Sequence, residues 1–327
     1  MNIFITGIEG VLGSVLKKEL RRRGHNVRGC GRRHSSDPGV VRADVAEARQ
    51  LEHAMDNEHD LVFHFAAEFG RKNGQSYYED LWHTNVIGTR NVIDQCAQRD
   101  IPLVFASSSE AYGASELYAN GEPLREEMLD ENVPLFHSEY ALSKYTNERQ
   151  IFTAARNDGL RAIVLRFFNV YGPPEKFSPY RSVVCQFAWQ LLNGLPITVN
   201  KTGMRTHLWI GDWVNTVANI ADEKRLRRLF QSPNFAWSGA AETPGVPVFN
   251  IGGEDYESVK SLYDKLRALL PYSNSVVTYE NSEVANSPTK RPDNALAKAY
   301  LGHCPMMPMN DGLYLTLEAL RKIKKEQ

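Results

Sequence analysis

The sequence predicts an α/β fold: a doubly wound parallel sheet in the first half, and a smaller lobe built mainly from the C-terminal half. Three observations lead there. Residues 1 to about 166 alternate short β-branched or aromatic runs with helical patterns, as in a parallel sheet covered on both faces. A glycine-rich turn separates the first such run from the first helical stretch. Beyond Pro174 the alternation fades, and aromatic, polar and proline-containing segments take over. The division falls at residues 1–173 and 174–327, with some later segments expected to return to the first part.

Ile3 to Thr6, Asn26 to Cys30, Val40 to Arg42, Leu61 to Phe65, Leu103 to Ser107 and Ala162 to Arg166 read as strands. Between the first two, Val11, Leu12, Val15, Leu16 and Leu20 share one helical face, with Lys17, Lys18 and Arg21 to Arg23 opposite; Gly24 ends the helix. The turn before it reads Gly7-Ile-Glu-Gly10-Val11-Leu12-Gly13. Glycines serve there because the backbone turns tightly and approaches a pyrophosphate, while the helix N-terminus supplies donors to the anion. Strand, glycine turn and helix together point to a Rossmann-type dinucleotide site.

The bulk numbers set bounds. A chain of 327 residues, 42% hydrophobic and 24% charged, has enough apolar mass for a full core. A formal net charge of −1 offers no global attraction to nucleic acid or membrane. No leader-like N-terminus or window of about 18 apolar residues is visible, so a cytoplasmic enzyme is expected. Cys30, Cys96, Cys185 and Cys304 are scattered without metal-ligand or redox spacing, so free thiols and no metal site are expected.

The second strand ends Gly29-Cys-Gly-Arg32-Arg33. An acid there would accept a ribose 2′-hydroxyl bond, whereas two guanidiniums suit a 2′-phosphate; NADP is favoured, and nearby Asp37 keeps NAD open. Asp44, with Val45 beside it, either touches the adenine or caps the next helix. In the fourth strand Phe65, Ala66 and Ala67 would let a cofactor lie close, and His64 reads as a hydrogen-bonded core histidine. Glu68 and Arg71 follow in a loop where substrate-facing residues are expected.

Two further stretches carry chemistry. Ser107-Ser108-Ser109-Glu110 places hydroxyls and a carboxylate at a strand's carboxyl end, where ligands of open α/β sheets bind. Tyr140 and Lys144, four apart at the start of a helix, share one face; a nearby ammonium favours phenolate over phenol and would make Tyr140 a base.

Taken in order with Arg166-Phe-Phe-Asn169-Val-Tyr-Gly-Pro173, these motifs closely resemble the extended short-chain dehydrogenase/reductase family of nucleotide-sugar epimerases and dehydratases. The resemblance spans nearly the whole chain. It implies that Tyr140 takes a sugar hydroxyl proton as hydride leaves the same carbon, that Lys144 holds the ribose and lowers the tyrosine's pKa, and that Ser108 hydrogen-bonds the reacting oxygen. It places Asn85 near the cofactor and Ser109, Asn169, Arg205 and Arg291 near the substrate. Glu110 is similar to the acid in the Ser/Thr-x-Glu arrangement of GDP-mannose 4,6-dehydratases and UDP-glucuronate decarboxylases; it is expected to remove the C5 proton of a 4-keto sugar. A nucleotide-diphosphate sugar substrate and a homodimer are further implications. A 4,6-dehydratase is the first expectation; decarboxylation, 4-epimerisation and a non-catalytic NADP(H) sensor are the alternatives. The stretch from Gln231 to Val248, with Trp237, reads as an insertion.

Overall fold

The structure, a computed structural model, describes residues 1–55, 58–132, 134–235, 245–281, 287 and 289–326, without the side chains of 71–73 and 326. In chain order its strands are β1 (Asn2–Thr6), β2 (Asn26–Gly31), β3 (Val40–Arg42), β4 (Leu61–His64), β5 (Leu103–Ser108) and β6 (Ala162–Phe167). There follow β7 (Val170–Tyr171), β8 (Ile197–Asn200), β9 (Met204–Thr206), β10 (Leu208–Trp209), β11 (Val248–Ile251), β12 (Tyr256–Ser258), β13 (Val277–Glu280) and β14 (Thr289–Lys290).

Seven of these form the central sheet in the order β11-β6-β5-β4-β1-β2-β3, with every neighbouring pair parallel. From β1 the chain winds outward through β2 and β3, then returns to lay β4 on the other side of β1. That reversal opens a crevice beyond the carboxyl ends of β1 and β4.

The six strands read from the sequence are present within a residue or so at their ends. The seventh corrects an expectation: Val248, placed at the end of an insertion, begins β11, which pairs with β6 from Val248↔Val164 to Ile251↔Phe167. Residues 236–244, including Trp237, lie outside the described residues.

Both faces of the sheet are covered because its strands are apolar on both sides. One face packs Leu16 and Leu20 of the helix Val11–Arg22 with Trp213 and Val217 of the helix Ile210–Ala218. The other packs Val92, Ile93, Ile151 and Ala154 of the helices Gly88–Gln98 and Glu139–Asp158. Each fully buried aliphatic side chain of this kind stabilises the fold by about 1.5–3 kcal/mol.

A second apolar cluster joins Phe187, Leu191, Leu262, Leu266, Leu313 and Leu317 from the helices Val183–Asn193, Val259–Leu269 and Met309–Glu326. Beside it lie a small sheet ordered β12-β9-β14 and the pair β13-β8. The four cysteines are free thiols. Among the described residues no helix is long and apolar enough to cross a membrane, and no cluster could hold a metal ion.

Candidate active site

The glycine turn has the tightness the sequence implies. Gly7 sits at φ +68, and a Cβ there would stand 2.7 Å from the backbone nitrogen of Ala66; one on Gly13 would stand 2.3 Å from the Gly7 carbonyl. Gly10 is the N-cap of the helix Val11–Arg22, and no side chain caps it. A bare cradle at an uncapped helix N-terminus fits the pyrophosphate of a dinucleotide. Ala66 and Ala67, both half-buried, continue β4 beside it, and the Ala66 N–H donates to Thr6 Oγ1 at 3.2 Å.

At the end of β2 the arrangement is less open than the sequence suggests. The Arg32 guanidinium is ion-paired with Glu68, so Glu68 faces the β2 end. Arg33 is exposed. Asp37 is held by Arg21 at 2.7 Å and Lys17 at 3.1 Å, and the arginine bond is the main reason its carboxyl lies well below the usual range. It is thus drawn to the basic face of the first helix. Asp44 does not cap the following helix, Ala48–Ala54, whose N-cap is Glu47; its Oδ1 accepts the Ala46 N–H at 3.0 Å and closes a tight turn. Val45 is buried against Gly88.

Across the crevice stands the helix Glu139–Asp158. It starts where it does because Ser138 Oγ accepts the Ala141 N–H at 3.2 Å, with the acid Glu139 in the first turn. Tyr140 and Lys144 then share a face, and Lys144 Nζ lies 5.8 Å from the Tyr140 ring centre. Lys144 is only 4% exposed and donates to the Ala106 carbonyl at 2.8 Å. Burial lowers its pKa to about 8, against the opposing charge of Glu148 one turn on.

The Tyr140 phenol lies close enough to the Ser108 hydroxyl for that hydroxyl to favour its ionisation. The phenol's pKa is nonetheless raised, chiefly by burial; the Ser108 hydroxyl works against this and the Glu110 charge adds to it. The net direction is upward, opposite to the lowering expected from Lys144. The ammonium is turned toward the Ala106 carbonyl, so the resting group is a phenol poised on Ser108.

Asn85 is 1% exposed in a π-helical turn, His83–Ile87. Its Oδ1 accepts the Glu68 N–H and its Nδ2 donates to the Glu68 carbonyl, both at 2.9 Å, with a third bond to Ser143 Oγ at 3.1 Å. His64 is the core histidine expected: its ring bonds Thr6 at 2.6 Å and Thr89 at 2.9 Å, and burial lowers its pKa to about 3.

Glu110 follows β5 in a 3-10 turn capped by Ser108, whose Oγ accepts the Glu110 N–H at 3.2 Å. Its carboxylate is 2.6 Å from Nζ of Lys290, a residue of β14 that is 2% exposed. Beside Lys290, in register on β9, lies Arg205, 8% exposed and bonded to the Met204 and Ser287 carbonyls at 2.8 and 2.6 Å. Ser109 is buried. Asn169, at φ +46, donates to the Thr206 carbonyl at 2.9 Å and thereby fixes the strand carrying Arg205. Arg291 is exposed, with its guanidinium 5.8 Å from the Tyr256 ring centre. Arg71 opens the short helix Arg71–Ser76, and its side chain lies outside the described atoms.

The profile of the NAD dependent epimerase/dehydratase family matches residues 3–230. The chain belongs to this family. Similar proteins include the UDP-N-acetyl-alpha-D-glucosaminuronate decarboxylase of Bacillus cytotoxicus, 27% identical over 98% of this chain and 98% of that one. UDP-glucuronic acid decarboxylase 1 of Xenopus tropicalis is 26% identical over 99% of this chain and 73% of that one. Among solved structures, MoeE5 in complex with UDP-glucuronic acid and NAD superimposes with a TM-score of 0.78 at 23% identity, covering 99% of this chain and 100% of that chain. The Thermus thermophilus UDP-glucose 4-epimerase complex with NAD gives 0.80 at 23% identity, covering 98% and 99%. These structures share the fold.

In this epimerase/dehydratase chain the residue that sequence reasoning missed is Lys290. Neighbouring side chains on a strand point to opposite faces, so of Lys290 and Arg291 only one can face the crevice. Of the two arginines after β2, Arg32 pairs with Glu68.

Proposed function

We propose that the protein is a nicotinamide-dinucleotide-dependent nucleotide-sugar enzyme that oxidises a hexose at C4 and then removes the C5 proton, leading to loss of water across C5 and C6. The observation that carries this is the convergence of Tyr140, Ser108 and the Glu110–Lys290 ion pair at the end of β5. Gly7, Gly10 and Gly13 at the helix N-terminus would hold a nicotinamide dinucleotide, which when bound would supply the hydride acceptor and donor for this chemistry.

Ser108 orients the 4-hydroxyl, and Tyr140, once the Lys144 charge draws its phenol to phenolate, would take the proton as the C4–H bond breaks. The resulting ketone acidifies C5–H. A carboxylate then suits the next step: Glu110, kept in place by Lys290, takes the C5 proton and passes it to the departing C6 hydroxyl, which leaves as water. Hydride would then return at C6 and a solvent proton at C5, giving the 4-keto-6-deoxy sugar. Lys144, beneath Tyr140, presents a positive charge where a ribose would lie.

A second reading rests on two observations. The relatives named above that this chain matches over almost its whole length are decarboxylases. Lys290 and Arg205 lie in register on adjacent strands, a pair of cations suited to a sugar carboxylate. Incubation with GDP-mannose, UDP-glucose and UDP-glucuronate decides between them. A 4-keto-6-deoxy product supports elimination; a pentose product from UDP-glucuronate supports decarboxylation in its place.

A further inference from the structure

We infer that Glu68 sets the choice of dinucleotide, selecting NAD over NADP by masking Arg32. The inference rests on the dinucleotide site proposed above. β2 and β4 flank β1, so the pair formed by Arg32 past β2 and Glu68 past β4 spans the carboxyl end of β1, where Gly7 turns. The two partners are not equally mobile. Glu68 has both backbone groups clamped by buried Asn85 at 2.9 Å, whereas the Arg32 side chain is 56% exposed and long. The acid is therefore the fixed member and the arginine is drawn to it.

Other charges nearby are matched in the same way. Lys17 lies 3.1 Å from Asp37 and 3.8 Å from Glu9, Arg21 lies 2.7 Å from Asp37, and the Ser35 hydroxyl donates to Glu9 at 2.8 Å. Arg33 is exposed. A 2′-phosphate gains Arg32 only by displacing Glu68 and then lying against its carboxylate. A 2′-hydroxyl is a donor and takes a carboxylate as partner without that conflict. Glu68 thus supplies, from the extension of β4, the acid that the end of β2 lacks.

The test is calorimetric titration of the full-length protein with NAD⁺ and NADP⁺, in the wild type, Glu68→Gln and Glu68→Gln with Arg32→Met. Glu68→Gln leaves the Asn85 clamp intact because those bonds use only the backbone of residue 68. The wild type is expected to prefer NAD⁺, and Glu68→Gln to tighten NADP⁺ about tenfold relative to NAD⁺, the scale of one charge-assisted bond. The gain should vanish when Arg32 is also replaced. Binding of both cofactors with a ratio moved by less than about twofold, or a gain that survives loss of Arg32, overturns the role of Glu68 alone. If the wild type binds neither dinucleotide, the underlying site fails and this inference falls with it.

Discussion

Lys290 Nζ lies 2.6 Å from Oε1 of Glu110, so the last short strand of the chain is tied by charge to the turn that follows β5. Lys290 is almost wholly buried while Glu110 keeps a fifth of its surface, so removal of the ammonium takes a buried opposite charge away from the acid. Lys290→Met is expected to cost about 1–3 kcal/mol in urea unfolding, and Lys290→Met with Glu110→Gln to recover part of it. A single variant as stable as the wild type would show that the pair does not hold the site together.

Tyr140→Phe removes the proton acceptor while Ser108 and Lys144 stay in place. Turnover of any substrate identified should fall by about 10²–10⁴, with dinucleotide affinity within a few-fold of wild type. Equal loss of cofactor binding would assign Tyr140 a structural role.

Lys144 gives the pH dependence a sign. With its pKa lowered to about 8, its charge is present below that value and lost above it. Dinucleotide affinity should decline as pH rises through about 8. Lys144→Arg, charged throughout that range, should flatten the decline; a limb that survives this change belongs to another group.

Glu126 makes the opposite kind of contribution to stability. It is 8% exposed, its Oε1 accepts the Asn250 N–H at 2.8 Å, and burial raises its pKa to about 7 from 4.5. The unfolded chain ionises it above about 4.5, and the folded protein only above about 7. The native state therefore holds the extra proton between those values, and stability falls as pH rises through that window by up to about 3 kcal/mol. Denaturant midpoints from pH 5 to 7.5 should fall less in Glu126→Gln than in the wild type. Parallel curves would place the titration elsewhere.

Gly7→Ala tests the cradle. A side chain at φ +68 is strained, and its Cβ would meet the Ala66 backbone, which cannot yield as a flexible side chain can. Loss of dinucleotide binding by at least about tenfold is expected, together with lower thermal stability. Binding retained at wild-type strength would move the pyrophosphate away from this turn.

β1, β4 and β5 were legible because each is a short, largely apolar run with a helical segment after it. β11 was not: its four residues follow a proline- and glycine-rich stretch, and its partner β6 lies far back in the chain, so nothing local announces the pairing. The site shows the same division. Ser108, Tyr140 and Lys144 were readable because strand end and helix spacing determine their faces. Lys290 was hidden beside Arg291, since the register that decides which cation faces Glu110 is set by β9, outside the motif. The Arg32–Glu68 pair was hidden for a related reason, because strand order, absent from the sequence pattern, brings β2 and β4 to either side of β1.

On the proposed mechanism Tyr140 removes the 4-hydroxyl proton as C4 loses hydride, and Glu110 then removes the C5 proton. The most direct measurement is turnover of sugar nucleotides in D₂O, with mass spectrometry and NMR of the products from the wild type and Glu110→Gln. A 4-keto-6-deoxy product carrying deuterium at C5 is expected from the wild type, and no such product or C5 exchange from Glu110→Gln. Carbon dioxide release from a uronic acid as the sole conversion, or C5 exchange that persists without Glu110, would contradict this mechanism.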